Sequence, residues 1–125
     1  MTLPEHDLQS IEVLALQADP KPMQALLSAL RLEGVHVDVV GDLQTARSTF
    51  FRSGGHGCLV IGPDVPPGVA NKVAQSLGAI DPDLAMATFG PQLSDRSPVR
   101  TARLAGFHPS SRAGQGALLR FLRSL

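Results

Sequence analysis

A short apolar run followed by an amphipathic stretch recurs about five times within 125 residues, and this alternation constrains the chain more than any other feature. The apolar runs are Ile11–Leu16, Val35–Val40, Cys58–Ile61, Leu84–Thr88 and a weaker one that begins at Phe107. Each is followed by residues at helical spacing. The pattern predicts an α/β fold: a parallel sheet with helices on both faces, a three-layer doubly wound (βα)5 sandwich. Such sheets place their sites where the carboxyl ends of the strands meet the loops. The residues at those five ends are therefore the first candidates for function.

The length suits one domain with a sizeable core, residues 11–125, preceded by a flexible tail over residues 1–10. No apolar run approaches the ~18 residues that cross a bilayer. Met1–Ser10 is polar and lacks the basic-then-apolar order of a secretion signal. Cys58 is the single cysteine and lies inside an apolar run. A cytoplasmic protein without disulfides is expected.

The net charge of zero hides a segregation. Residues 1–95 hold eleven Asp and Glu against five Lys and Arg, whereas residues 96–125 hold six arginines and no acid. A solvated surface explains this as readily as a basic docking face built by the last two helices.

Along the chain, Asp19-Pro20 reads as the entry to a first helix with Met23, Leu26, Leu27 and Leu30 on one stripe and Gly34 closing it. Val35–Val40 alternates, as a strand with one wetter face does. Asp42 caps a second helix with Leu43, Ala46 and Phe50 inward, ended by Ser53-Gly54-Gly55. Cys58–Ile61 reads as a central strand buried on both faces. A stiff loop, Gly62–Gly68, leads to a third helix carrying Val69, Val73 and Leu77. Asp81-Pro82-Asp83 is a turn into the fourth strand, Leu84–Thr88. Ser97-Pro98 predicts a fourth helix that ends at Gly106. Phe107–Ser111 is then an irregular or edge fifth strand, since it contains Pro109. Gly114-Gln115-Gly116 reads as a turn into a last helix with Leu118, Phe121, Leu122 and Leu125 on one stripe.

Several chemistries lack their residues. His6, His36, His56 and His108 are scattered, without ligand spacing, and His36 and His56 read as structural. No Gly-x-Ser-x-Gly turn and no phosphate-binding glycine loop follows a strand. No Trp or Tyr is present to stack bases. What remains is a polar set at the expected strand ends: Asp19, Asp64, Thr88 and Arg112. Two carboxylates there suit Mg²⁺, and a hydroxyl with a cation suits a phosphoryl group. Each also has a structural role open to it: Asp19 as a helix cap, Asp64 in a proline-rich turn, Thr88 bonded to backbone, Arg112 at the surface.

In the order and spacing of these elements, residues 10–125 resemble the receiver domains of two-component response regulators. The resemblance implies a flavodoxin-like sheet of order 2-1-3-4-5 and a phosphorylation pocket. It also implies an acidic pair after strand 1, a phosphoacceptor Asp ending strand 3, Thr or Ser ending strand 4, and Lys-Pro after strand 5. Gln17-Ala18-Asp19 keeps one acid of the pair, and Met86-Ala87-Thr88 matches strand 4. The phosphoacceptor position falls on Pro63, or on Gly62 with a slip, with Asp64 one residue late, and no Lys-Pro follows strand 5. A one-residue slip turns a side chain out of line, and proline offers no nucleophile. The expectation is an atypical receiver or pseudo-receiver. It has no enzymatic activity and no cofactor, and its degenerate pocket comprises Asp19, Pro63, Asp64, Thr88 and Arg112. It acts by protein–protein interaction with another signalling protein.

The resemblance places the partner face on helix 4, strand 5 and helix 5. Arg96, Arg100 and Arg103 are spaced for one side of a helix there, and Arg120 and Arg123 repeat the spacing on the last one. A homodimer through that face is the variant of this expectation. A phosphorylatable receiver holding Mg²⁺ between Asp19 and Asp64 is the first alternative. A small-ligand or nucleotide module using the same crevice is the second. Neither a membrane nor a nucleic-acid partner is expected.

Overall fold

The computed structural model describes residues 8–93 and 100–125. Within them lie strands β1 (Glu12–Leu16), β2 (His36–Val40), β3 (Cys58–Ile61), β4 (Ala85–Thr88) and β5 (Thr101–Arg103). The helices are α1 (Pro20–Leu32), α2 (Leu43–Arg52), α3 (Pro67–Ile80) and α4 (Arg112–Arg123). All strand pairs are parallel and the sheet order is β2-β1-β3-β4-β5, as expected from the alternation and the resemblance.

Side-chain parity divides the core into two layers. Val13, Ala15, Cys58, Val60, Ala85 and Ala87 face α1 and α4, where Met23, Leu26, Leu30, Leu118 and Leu122 cover them. Leu14, Leu16, Leu59, Ile61 and Met86 face α2 and α3, against Phe50, Val73 and Leu77. Successive residues of β1, β3 and β4 thus bury opposite sides, which is why these strands are apolar throughout.

The helix ends follow their local sequence. Asp19 Oδ1 accepts from the Lys21 amide at 3.0 Å, with Pro20 opening α1. Gly34, at φ 86°, turns the chain out of α1 in a conformation that a side chain would strain. Asp42 Oδ1 accepts from Thr45 N at 2.7 Å and caps α2. Leu8–Ser10, expected in the tail, form a 3-10 turn whose Leu8 is buried in the α1/α4 layer. Met1–Asp7 lie outside the described residues.

The C-terminal third departs from expectation. Thr101–Arg103, assigned to a fourth helix, is β5 and pairs with Met86–Thr88. Its apolar residues explain this: Ala102 and Leu104 alternate and both pack on the α1/α4 layer, a period of two that no helical stripe reproduces. The Ser97-Pro98 signal lies among residues 94–99, outside those described. Phe107–Ser111, expected as the fifth strand, is a pair of turns closed by Phe107 N to Leu104 O and Ser111 N to His108 O, both at 2.9 Å. Pro109 cannot donate to a ladder, which disfavours pairing there. Gly114 and Gly116 lie inside α4, whose cap is Ser111. Gly114 is required by contact: a Cβ there would meet the His108 carbonyl oxygen at 2.3 Å.

Candidate functional site

The carboxyl ends of β1, β3 and β4 lie side by side, with Leu16 beside Ile61 and Ile61 beside Thr88. The loops that follow bring two of the expected residues together. Asp64 Oδ2 accepts the backbone N–H of Asp19 at 2.7 Å. Both residues are exposed at the start of α1, where the helix dipole favours negative charge. Each carboxylate is therefore committed to a backbone donor, Asp19 to Lys21 and Asp64 to Asp19. Among the described residues, no three metal-ligating side chains cluster.

Directly after β3 come Gly62 and Pro63, neither of which carries a nucleophile. Gly62 N donates to Leu16 O at 2.8 Å, and a Cβ on it would lie 3.2 Å from the Met23 side chain. A Cβ on Gly90 would lie 2.8 Å from the Pro63 carbonyl oxygen, so the loops after β3 and β4 touch backbone to backbone. Thr88 is buried, and its hydroxyl donates to Pro91 O at 2.7 Å. Its bond goes to the turn that follows its own strand.

Arg112 is expected just after a fifth strand at Phe107–Ser111. β5 instead ends at Arg103, and Arg112 opens α4 as an exposed residue without an ion pair to any described residue.

The arginine face is also redrawn. Arg100 precedes β5 and Arg103 ends it, so they cannot share a helix side. Three residues apart on extended chain, they point to opposite faces of the sheet. Arg100 has the parity of Ala102, the α4 side. Arg120 is exposed on α4, and Arg123 lies 3.9 Å from Glu33. Arg96 is outside the described residues.

A second polar group escaped the sequence reading. His56 has no exposed side-chain surface, and its Nε2 lies 2.8 Å from Asp38 Oδ2. Its Nδ1 lies 3.2 Å from Ser53 Oγ, and Phe50 stacks on the ring with centroids 5.8 Å apart. His36 Nε2 is 3.4 Å from Asp38 Oδ1. The hydrogen bond from His56, with the neighbouring imidazoles, holds the Asp38 carboxyl below the usual carboxylate range against a smaller opposing effect of burial. Two signals in the sequence pointed here: a lone acid among valines on an alternating strand, and a histidine set in a glycine turn.

Although Ser53, His56 and Asp38 are the residue types of a hydrolytic triad, their arrangement is a clamp. Ser53 Oγ also reaches the Phe50 and Gly55 carbonyls at 3.2 and 3.4 Å. The nearby Gly54 and Gly55 amides are bonded to Phe51 O and Phe50 O, so neither is aimed at a developing oxyanion. A ring protonated on Nε2 satisfies both neighbours, with Ser53 donating to Nδ1. The clamp ties β2 to the turn between α2 and β3.

Comparison with known families finds no match, and no curated protein matches the chain. Among solved structures, the chain is similar to the chemotaxis response regulator CheY4 of Vibrio cholerae, with a TM-score of 0.63 and 12% identity over 90% of this chain and 98% of that one. It is also similar to a putative pilus assembly-related protein from Burkholderia pseudomallei, with a TM-score of 0.62 and 19% identity over 95% of this chain and 94% of that one. At these identities the likeness concerns architecture: the chain has the fold of a CheY-like receiver domain.

Proposed function

We propose that this chain is a receiver-like signalling module that has lost aspartyl phosphorylation, catalyses nothing, needs no cofactor and acts by binding another signalling protein. The observation that carries the reading is the end of β3. Gly62 and Pro63 stand where a phosphoacceptor is needed, and the one nearby acid, Asp64, holds the Asp19 amide. The buried Thr88 hydroxyl, bonded to Pro91, supports the same reading. In-line transfer needs a carboxylate, a metal and a cation converging on one phosphoryl group. Arg112, at the far end of the β5–α4 connection, does not supply the cation.

The partner face in this proposal is the exposed basic surface of Arg100, Arg112 and Arg120, and the partner surface is acidic. The test of the lead reading is an NMR titration with Mg²⁺ followed by beryllofluoride, a mimic of the acyl phosphate. The expected result is an unchanged spectrum. Shifts at Asp19, Asp64 and Thr88 that vanish in Asp64→Asn would overturn it. One observation favours that second reading, a phosphorylatable receiver: the 2.7 Å bond that sets the exposed Asp64 carboxylate beside Asp19, where Mg²⁺ could be shared.

A further inference from the structure

We propose that the outer edge of β2 pairs with the same edge of a second copy of this chain, antiparallel, about a two-fold axis at Val37. β2 is a terminal strand of the sheet. His36 N donates to Ile11 O and Gln17 N to Val40 O, so His36, Asp38 and Val40 direct their backbone groups at β1. The N–H and C=O of Val37 and Val39 therefore point away from the sheet, and no described strand pairs with them. Of the devices that blunt an open edge, the strand carries no proline, lysine or bulge; its one acidic residue, Asp38, is the group this pairing uses. Val39 leaves 40% of its surface exposed.

The charges select the register. With the axis at Val37, the valine opposes its own copy and Val35 opposes the second copy's Val39. His36 then faces the second copy's Asp38, and Asp38 faces the second copy's His36. These fall at the non-hydrogen-bonded positions, where side chains approach most closely. Moving the axis to Asp38 sets two carboxylates face to face, which is repulsive. Moving it to Val39 sets Asp38 against Val40 and leaves the carboxylate without a partner across the edge.

Asp38 is already held for this contact. Oδ2 is fixed by the buried His56, and Oδ1 lies on the side of His36, at 3.4 Å. The cleft of about 410 Å³ beside this edge is lined by His36, Asp38, Arg52 and Ser53 and leaves room for an approaching strand. A five-residue edge makes a small interface, so the association belongs to the weak class. It does not depend on the proposed receiver-type function, because it uses neither the strand-end pocket nor the arginines.

Sedimentation velocity of the full chain over a concentration series tests it. The expected result is a shift from monomer to a species of doubled mass as concentration rises toward ~1 mM. Val39→Pro removes an outward N–H that the β1 ladder does not use, and is expected to hold the chain monomeric. His36→Glu, which sets Glu against the second copy's Asp38, is expected to do the same, and His36→Lys to restore the dimer. Far-UV circular dichroism checks that each variant is folded, and the His36 pair stands as the test where Val39→Pro is not. A wild-type chain that stays monomeric throughout overturns the proposal. So does a dimer that survives both Val39→Pro and His36→Glu, or one lost instead in Arg100→Glu with Arg120→Glu.

Discussion

The two polar groups of this molecule differ in what their side chains bond. At the strand ends, Asp19, Asp64 and Thr88 each bond to backbone: a helix-entry amide, a neighbouring amide and a turn carbonyl. At the β2 side, Asp38, His56 and Ser53 bond to one another, around a ring with no solvent access. The first group sits where a receiver conducts its chemistry, yet its residues act as caps and turn fasteners. The second sits away from the strand ends and is the more tightly built. In this fold, position at the strand ends alone does not identify the residues whose side chains bond to one another.

The difference is sharpest for His56. His56→Ala leaves a cavity against Phe50 and strips Asp38 of its 2.8 Å partner. A loss of about 3 kcal/mol is expected in urea denaturation, from the cavity and the unmade hydrogen bond together. A loss below about 0.5 kcal/mol would class the clamp with ordinary surface contacts and remove the contrast.

At the strand ends the expected losses are smaller. Thr88→Val keeps the shape and deletes the hydroxyl that bonds Pro91, leaving a carbonyl short of a donor, at a cost of about 1–2 kcal/mol. Asp19→Ala removes the α1 cap and costs about 1 kcal/mol. Both variants are read by the same denaturation, and neither is expected to change the response to beryllofluoride. If Asp19→Ala abolished a wild-type response, the strand-end group would be a working pocket.

How much of this was legible follows the period of the apolar pattern. β1, β3 and β4 are continuous apolar runs between clear turns, and Asp19, Asp42 and Gly34 announce their helix ends, so a parallel sheet covered on both faces could be read, while its strand order followed from the resemblance to receivers. β5 has three residues and one inward side chain, Ala102, with Leu104 just beyond it. So short a period-two signal is overridden on paper by Ser97-Pro98 and by arginines at helical spacing. Misplacing β5 also misplaced Arg112 and split the arginine face. The meeting of Asp64 with Asp19 was legible in kind, since both follow strand ends in one sheet. The clamp was not, because its members are 15 and 18 residues apart from Asp38 and join only when α2 folds back over β2.

The smallest expected effect concerns the charge on Asp38. Its carboxyl is held below the ordinary value, chiefly by the hydrogen bond from His56. A depressed folded-state value means that the unfolded chain binds the proton more readily. The stabilisation is therefore fully present above the unfolded carboxylate range, at about pH 5 and higher, and is lost as pH falls through the lowered folded value. Because the Asp38 side chain is 30% exposed, solvent screens the contribution, and less than about 1 kcal/mol is expected. The measurement is the stability of wild type against Asp38→Asn between about pH 6 and pH 3. The gap between them should narrow on acidification, as the wild-type carboxylate takes up its proton and becomes neutral like the amide. Asp42 is also held low, by the Thr45 amide, but it is common to both proteins and cancels in the difference. Parallel curves would mean that the imidazole holds the side chain by shape alone. The β2 group would then resemble the strand ends, where the polar residues fix the backbone and the charge adds little.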